Sequence, residues 1–294
     1  MPIYRIADLV IALNDFNDKK LIEDFKPYLA LEHSFDNADV NVNIEYFNNN
    51  KELGLPQIPE EGIIARQSIS VYTNADDGLL VSICDFDINA VIAQIKFNKS
   101  FNNVCIMLAK LDGLLNTEPV CFAKNIMDIM FQILIQNYNG FVFHASTIMH
   151  KGMGIAFSAD SGIGKSTHTA LWRKLYDDTV VINDDAPIIR VVDGKPYVYG
   201  APWAGTTGIN TNVKAPLRAI VFLERSGTNT ICELSTLNSL KRFFSQIRNP
   251  VTTEQMTNVM VALDSVITKG GAYLLKCNME DDAAITVENY LFNN

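Results

Sequence analysis

Residues 157–169 read FSADSGIGKSTHT, a glycine-bearing loop that follows an apolar run and ends in Lys-Ser-Thr. The pattern of a phosphate-binding loop is G-x-x-x-x-G-K-[ST], and the stretch departs from it at one position, because Ala159 stands where the first glycine belongs. Gly162 and Gly164 permit backbone conformations that aim N–H groups inward, and the N-terminus of a following helix carries a partial positive charge. The stretch therefore predicts a strand, an anion-binding loop and a helix in succession.

The residues of this loop have distinct predicted roles if the loop holds a nucleotide. The Lys165 ammonium would reach the β- and γ-phosphates, and the Ser166 hydroxyl would ligate Mg²⁺. The predicted cofactors are therefore ATP or GTP with Mg²⁺. The alternative is a plain strand-to-helix turn that carries a surface lysine. The candidate nucleotide-binding residues are Asp160, Ser161, Gly162, Ile163, Gly164, Lys165, Ser166 and Thr167.

Two consecutive acids, Asp184 and Asp185, follow the strand-like run VVIN. The carboxyl ends of neighbouring parallel strands open onto one crevice, so both carboxylates would face the phosphates if this strand neighbours GIAFS. One acid, with Asp184 as the candidate, would hold Mg²⁺, and Asp185 would accept a proton from an attacking hydroxyl. The alternative is a solvated turn before Pro187.

A histidine lies close to the loop if residues 140–159 form a hairpin that turns at Lys151-Gly152. In that hairpin residue 150 pairs with 153, and the ladder places His144 opposite Ala159. There the imidazole could donate a hydrogen bond or a proton at the transferring group. A one-residue slip in register would make His144 a core histidine instead. His150 is assigned to a turn, and His168 is assigned to the surface.

The segment YGAPWAGTTGINTN, residues 199–212, is irregular yet rich in apolar and hydroxyl residues. Such segments often carry function. Trp203 would close over the nucleotide or the acceptor, or would form the packed centre of its own loop. Candidate hydrogen-bonding and phosphate-clamping side chains in and after this segment are Thr206, Thr207, Asn210, Asn212, Lys214 and Arg218.

Composition excludes several classes of protein. The 294 residues carry a formal net charge of -9 and show no Lys/Arg stripe, which argues against a nucleic-acid surface. The N-terminus lacks a basic region with a cleavage site, and no apolar stretch reaches the roughly 18 residues of a membrane span. We therefore expect a cytoplasmic protein. The five cysteines are odd in number and widely spaced, which predicts reduced thiols.

The pattern of elements predicts a two-domain α/β protein. Residues 1–115 contain successive β-like runs separated by polar loops, which predicts a β-rich N-terminal domain with an antiparallel meander. Residues 116–294 begin with a buried helix over 118–138 and continue with the strand, loop and helix described above. In the helix that follows the loop, Thr167, Ala170, Leu171 and Leu175 lie at helical spacing on one face.

Three features in one order, FHAS, ADSGIGKST and VVINDDAPIIR, resemble the catalytic domain of HPr kinase/phosphorylase. They are more distantly similar to phosphoenolpyruvate carboxykinase, and the resemblance covers roughly residues 138–225. GKSTHTALWR, INDD, APWAG and LRAIVFLER are also similar to small HPr-kinase-related bacterial proteins. The resemblance implies that Lys165 and Ser166 bind nucleotide and Mg²⁺, that Asp184 and Asp185 share metal and general-base duties, and that His144 assists at the phosphoryl group.

The chain also departs from that family. The glutamate-containing signature that follows the aspartates in HPr kinases is replaced by YGAPWAGTTGIN. From the loop, the paired acids and the histidine together, we still expect a Mg·ATP-dependent kinase that acts on a hydroxyl, with a serine of a small protein or peptide as the acceptor. A small-molecule kinase or carboxykinase-like enzyme and a non-catalytic nucleotide sensor remain as alternatives. A homo-oligomer is compatible with the resemblance.

Overall fold

The chain forms a mixed α/β structure with two large sheets, seen here in a computed structural model. It divides into two compact units, Met1–Leu134 and Ile135–Asn294. The structure describes residues 2–14, 19–32, 37–47, 63–65, 69–75, 78–85, 90–109, 119–203, 205 and 207–293.

The first unit contains a sheet of eight strands and two helices among its described residues. The strands are β1 (Ile3–Ile6), β2 (Leu9–Asn14), β3 (Val40–Phe47), β4 (Ile63–Ala65), β5 (Ile69–Ala75), β6 (Gly78–Asp85), β7 (Ala90–Asn98) and β8 (Asn103–Ala109). The helices are α1 (Lys19–Phe25) and α2 (Pro119–Leu134). The order across the sheet is β1-β2-β3-β8-β7-β6-β5-β4.

The predicted meander is correct only for part of this sheet. Strands β4 to β8 pair in sequence and antiparallel. Strand β3, however, pairs parallel with both β2 and β8, which an all-antiparallel meander does not allow. The physical reason lies in the chain connection, since α1 separates β2 from β3 and parallel neighbours need such a crossover.

Helix α2 belongs to the first unit. It packs near α1, where the Lys124 Nζ atom donates to Asp24 Oδ2 at 2.7 Å. The first compact unit ends at Leu134, the last residue of α2. A 3₁₀ turn, Ile135–Tyr138, opens the second unit.

The second unit contains a sheet of nine strands and four helices among its described residues. The strands are β9 (Gly140–Val142), β10 (Ala145–His150), β11 (Met153–Ser158), β12 (Val180–Asn183), β13 (Ile188–Val192), β14 (Lys195–Tyr199), β15 (Lys214–Arg225), β16 (Thr230–Glu233) and β17 (Ala272–Cys277). The helices are α3 (Lys165–Leu175), α4 (Thr236–Phe244), α5 (Thr253–Ser265) and α6 (Asp281–Phe292). The order is β12-β10-β11-β15-β14-β13-β9, with β17 beside β15 and β16 beside β17.

The hairpin of β10 and β11 has the predicted register. His150 pairs with Met153 and Ala145 pairs with Ser158. The two turn residues, Lys151 and Gly152, have φ angles of 50° and 72°. Two left-handed residues give the turn the twist that the flanking strands require. The predicted ladder, and with it the placement of residue 144 next to the loop, is confirmed.

Strand β12 does not lie directly beside the GIAFS strand, which was the condition considered above for both acids to face the loop. Strand β12 pairs antiparallel with β10, and β10 therefore lies between β12 and β11. Because β11 and β12 are both antiparallel to β10, they still run in the same direction. Their carboxyl ends, which carry residues 159 and 184, meet at one edge of the sheet. Strand β15 runs parallel to β11 and ends at this edge as well.

Helix α3 packs on the sheet through part of the predicted face, since Leu171 and Leu175 contact the core, and through two residues that were not predicted. Thr167 and Ala170 are exposed, whereas His168 and Trp172 are completely buried. The Trp172 indole donates to the His168 Nε2 atom at 3.2 Å, and both rings contact Phe157 of β11. The surface assignment of His168 is therefore wrong, and His150, at 1% exposure, is buried rather than an open turn residue.

The opposite layer is built around phenylalanine side chains. The rings of Phe143 and Phe222 lie edge to face with centroids 6.3 Å apart, and both contact Phe243 of α4. Burial of each such ring contributes about 1.5–3 kcal/mol to folding. This layer holds the start of β10 and the end of β15 in fixed positions at the sheet edge.

No helix in the described part of the chain is both long and apolar enough to cross a membrane.

Four of the cysteines are described, and all four are free: Cys84, Cys105, Cys232 and Cys277. Burial raises the pKa of the Cys84 and Cys277 thiols above their ordinary value, which favours the protonated form.

Candidate functional site

The loop over residues 159–164 joins β11 to α3 at the carboxyl edge of the sheet. Gly162 and Gly164 adopt φ angles of 79° and 121°, which side chains with a Cβ atom rarely tolerate. A Cβ atom at position 164 would also lie 2.5 Å from the Met279 Cε atom. The backbone of the loop therefore has the left-handed residues that the sequence pattern predicts.

Lys165 is the first residue of α3 and is 9% exposed. Its Nζ atom donates to the Ala159 carbonyl at 2.9 Å. Burial lowers the pKa of this ammonium below its ordinary value, while the carboxylates of Asp185, Asp160 and Asp184 act in the opposite direction. The lysine thus points back across the loop and lies within the field of all three predicted acids.

Asp184 is buried, with 6% of the residue exposed. Its Oδ1 atom accepts a hydrogen bond of 2.6 Å from the Ser146 hydroxyl, which also lies 3.0 Å from the Thr169 Oγ1 atom. Thr169 in turn donates to the Ser166 carbonyl at 3.0 Å. Hydrogen bonds therefore connect Asp184, which directly follows β12, through Ser146 of β10 to the first turn of α3.

Asp185 lies beside His144. The distance from His144 Nε2 to Asp185 Oδ1 is 3.6 Å, and both side chains are about half exposed. The His144 carbonyl accepts from the Ser158 hydroxyl at 2.8 Å, which attaches it to the end of β11. The structure thus brings the predicted histidine and the predicted base together at the loop.

Asn183 positions the two acids. Its completely buried side chain accepts from the backbone N–H groups of Asp185 and Ala186 at 2.9 and 2.8 Å. Its amide nitrogen donates to the Trp203 carbonyl at 2.8 Å. An asparagine that bonds the backbone two residues on is a common turn signal, so the sequence VVINDD already indicated this role.

In the segment over residues 199–212, the residue that lies beside the site is Gly205 and not Trp203. Trp203 is 5% exposed, so it does not form a lid in this structure. A Cβ atom at Gly205 would lie 3.0 Å from the Asp185 Cβ atom. Asn210 donates to the Pro202 carbonyl within the segment, Thr207 is exposed, and Thr206 lies outside the described residues.

The predicted phosphate clamps are engaged elsewhere. The Lys214 Nζ atom lies over the Tyr197 ring, 4.4 Å from its centroid, and Arg218 donates to the Leu291 carbonyl at 2.7 Å. The arginine that reaches the loop is Arg225, at the end of β15. It donates to the carbonyls of Gly162 and Ile163. Arg225 is the last residue of the LRAIVFLER stretch, but no role was predicted for it.

Two further residues at the site had no predicted role. The Oε1 atom of Gln246, which follows α4, lies 2.9 Å from His144 Nδ1, and its Nε2 atom donates to Asp160 Oδ1 at 3.1 Å. Ser146 could have been predicted, because alternate residues of a strand share one face and His144 was already placed there.

A cavity of about 390 Å³ adjoins the loop and is lined by Asp160, Arg242 and Gln246 among others.

The structure brings most predicted site residues together at one edge. Among the described residues, no group of three or more His, Cys, Asp or Glu side chains could hold a metal ion by itself. The oxygen atoms of Asp184 and Ser166 suit Mg²⁺, which usually takes one or two protein ligands together with phosphate and water. The exposed positions of the loop and of the start of α3 are Ser161, Gly162, Ser166 and Thr167.

The fold and site define a mixed α/β protein with a glycine-bearing loop facing paired acids. A scan against protein-family models finds no match, and a search of curated proteins finds none either. Among solved structures the chain is similar to the HPr(Ser) kinase/phosphatase from Coxiella burnetii, at 12% identity and a TM-score of 0.29, over 51% of this chain and 95% of that one. At this TM-score the likeness carries no argument about function.

Proposed function

We propose that this chain is a phosphotransferase that binds Mg·ATP or Mg·GTP on the loop before α3 and transfers the γ-phosphoryl group to a hydroxyl. One observation carries the proposal. The buried Lys165 ammonium lies among the carboxylates of Asp160, Asp184 and Asp185 at the end of a loop with two left-handed glycines. A cation and acids around an open loop suit a triphosphate with its metal.

The nucleotide would bind through the loop and the start of α3. Backbone N–H groups at a helix N-terminus favour anions, and the γ-phosphate would replace the Ala159 carbonyl as the partner of Lys165. The nearby carboxylates repel phosphate, so binding requires a cation. Asp184 and Ser166 would hold Mg²⁺, which neutralises charge on the phosphates.

Asp185 is positioned to act as the base. As the hydroxyl oxygen bonds to the γ-phosphorus, the bond from that phosphorus to the bridging oxygen breaks and the nucleoside diphosphate leaves with the electron pair. The hydroxyl proton passes to the Asp185 carboxylate, which His144 Nε2 approaches at 3.6 Å. Positioning and charge stabilisation supply most of the catalysis in this type of reaction.

The acceptor we propose is a serine of a small protein or peptide. The site supports this because Asp185 and His144 are each about half exposed, so a side chain of a larger molecule can reach them. The cavity of about 390 Å³ beside the loop supports a second candidate, a small hydroxylated metabolite, because pockets of about 300–1,000 Å³ bind small molecules.

The test is a phosphotransfer assay read by mass spectrometry. The protein is incubated with Mg·ATP or Mg·GTP and a set of serine peptides and small alcohols, and a gain of one phosphoryl group is measured. Lys165→Ala should abolish transfer. Lys174→Ala is the matched control, because Lys174 lies on the same helix but pairs with Asp281 at 2.7 Å.

The outcomes separate the candidates. Transfer to peptides alone supports the protein kinase, and transfer to small alcohols alone supports the metabolite kinase. Nucleotide binding without transfer to any acceptor would replace both with a nucleotide sensor. Equal transfer by the parent and by Lys165→Ala would overturn the site assignment.

A further inference from the structure

Gln246 links the loop to the His144 and Asp185 pair. Its side chain lies between His144 Nδ1, at 2.9 Å, and Asp160 Oδ1, at 3.1 Å. Its backbone is attached independently, since its N–H group donates to the Phe243 carbonyl and its carbonyl accepts from the His144 N–H group. Truncation of the side chain would therefore leave the backbone position unchanged.

The partners of the Gln246 amide determine which way it points. A carboxylate oxygen only accepts hydrogen bonds, so the amide nitrogen must be the atom on the Asp160 side. The same nitrogen lies 3.3 Å from the Ser245 hydroxyl, which can also accept. The amide oxygen is then the atom that faces His144 Nδ1.

This orientation determines the tautomer of His144. An amide oxygen has no proton to give, so the hydrogen in the contact must be on Nδ1. In the neutral ring Nε2 is then an acceptor, and its lone pair faces the Asp185 carboxylate at 3.6 Å. The contact with Gln246 therefore fixes the proton on Nδ1 and directs Nε2 towards Asp185 next to the loop.

We infer that Gln246 is a positioning residue of the site, holding a proton on His144 Nδ1 so that the Nε2 lone pair faces the open edge of the loop, where the attacking hydroxyl would bind. The inference rests on the proposed function for its catalytic consequence. Its structural content does not, because the tautomer of His144 can be measured in the protein without nucleotide. Gln246 acts through His144 and does not itself contact the reacting atoms.

The test begins with NMR of the full chain labelled with ¹⁵N and ¹³C at histidine. The chain contains 4 histidines, and the His144 signals are those that disappear in His144→Gln. The parent should show the proton on Nδ1. Gln246→Ala removes the amide oxygen, and the proton should move to Nε2, where the Asp185 carboxylate accepts it. Gln246→Glu keeps an acceptor at Nδ1 and should keep the Nδ1–H tautomer.

Kinetics provide the second readout. In Gln246→Ala the ring donates from Nε2 and no longer accepts, so kcat should fall by at least about tenfold, as for loss of a proton acceptor. The nucleotide KM should change less than kcat. Gln132→Ala serves as the matched control, because that glutamine also donates to a carboxylate, on α2, at 2.8 Å.

The results distinguish this inference from the proposed function. A parent protein with the His144 proton on Nε2, or a Gln246→Ala variant with the tautomer unchanged, would overturn the role of Gln246 whether or not the protein transfers phosphate. A parent that shows the expected tautomer but transfers phosphate to no acceptor would overturn the proposed function and leave the hydrogen-bond assignment intact. A fall in kcat with the shift of tautomer supports both.

Discussion

The two ends of strand β10 carry the same kinds of side chain, yet only one end resembles a reaction site. At the far end, His150 lies 2.9 Å from Asp178, and Lys151 lies 2.6 Å from the buried Glu288. The rings of Trp172, Tyr176 and Phe292 surround that histidine. We call this cluster the closed end, and the loop edge with His144 and Asp185 the open end.

The difference lies in how the charges are satisfied. At the closed end the lysine and the histidine each have a carboxylate partner at short distance, and His150 is 1% exposed. At the open end, within the described residues, Lys165 forms no ion pair and bonds only to a backbone carbonyl. The closed end therefore holds its histidine and lysine in short ion pairs, whereas at the open end His144 and Asp185 are 3.6 Å apart and Lys165 bonds a backbone carbonyl.

Substitution of one acid at each end gives the largest contrast. Asp185→Asn removes the proposed proton acceptor and should lower kcat by about 10³-fold, as expected for loss of a general base. Asp178→Asn should leave kcat unchanged and lower the free energy of unfolding by at most about 1 kcal/mol, because its side chain is 53% exposed. Steady-state kinetics and urea unfolding measure the two effects.

The contrast between the open end and the closed end would be wrong if Asp178→Asn lowered kcat and Asp185→Asn did not. A large loss of kcat in Asp178→Asn, with the same unfolding midpoint as the parent, would place chemistry at the closed end. Unchanged kcat in Asp185→Asn would remove the proposed base from the open end.

The second prediction concerns His168, beneath the open end. Burial lowers the pKa of His168 from its ordinary value of 6.5 to about 4. Between these values the unfolded chain binds a proton that the folded chain does not, so stability falls as the pH decreases through this window. The loss reaches about 3 kcal/mol at pH 4, and above pH 6.5 His168 contributes no pH dependence.

Urea unfolding between pH 4 and 7 measures this loss, with His168→Gln as the comparison. Glutamine can still accept from Trp172 Nε1, which is 3.2 Å from the imidazole, but it does not titrate. The variant should therefore lose less stability on acidification than the parent. Equal slopes in the two proteins would show that His168 is not held neutral.

Local sequence signals predicted much of the fold. The Lys151-Gly152 turn determined the hairpin register, and the glycines at 162 and 164 matched left-handed positions. The order of strands could not be obtained in this way. Nothing local to VVIN indicates that it lies beside β10, because pairing between distant strands depends on packing of the whole sheet.

The residues of the candidate site were likewise predicted where a local sequence signal existed and missed where only distant contacts bring them together. Lys165, Asp184 and Asp185 were predicted from a loop pattern and from a strand end. Gln246 was not, since it bonds His144 across 102 residues of chain and follows a helix with no motif of its own. The buried face of α3 was predicted in part, because apolar spacing identified Leu171 and Leu175, which pack against the core, but not Trp172, which is completely buried there.

The third prediction compares two buried serines on the hairpin of β10 and β11. Ser146→Ala leaves the buried Asp184 carboxylate without its 2.6 Å hydrogen bond and should cost about 2 kcal/mol of unfolding free energy. Ser158→Ala removes a 2.8 Å bond to the His144 carbonyl and should cost about 1 kcal/mol. Thermal and urea unfolding measure both, and a larger cost for Ser158→Ala would show that Asp184 does not depend on Ser146.

The smallest expected effect tests how the open end keeps its loop in place. Arg225 donates to the carbonyls of Gly162 and Ile163, so Arg225→Ala should loosen the loop and raise the nucleotide KM about fivefold, equivalent to about 1 kcal/mol. kcat should change little, because Arg225 contacts the loop backbone and not the acids. Arg173→Ala, at an exposed position of α3, controls for loss of a positive charge near the site. If kcat falls while KM stays constant, Arg225 acts on the transferring phosphoryl group instead, and the open end contains a second cation beside Lys165.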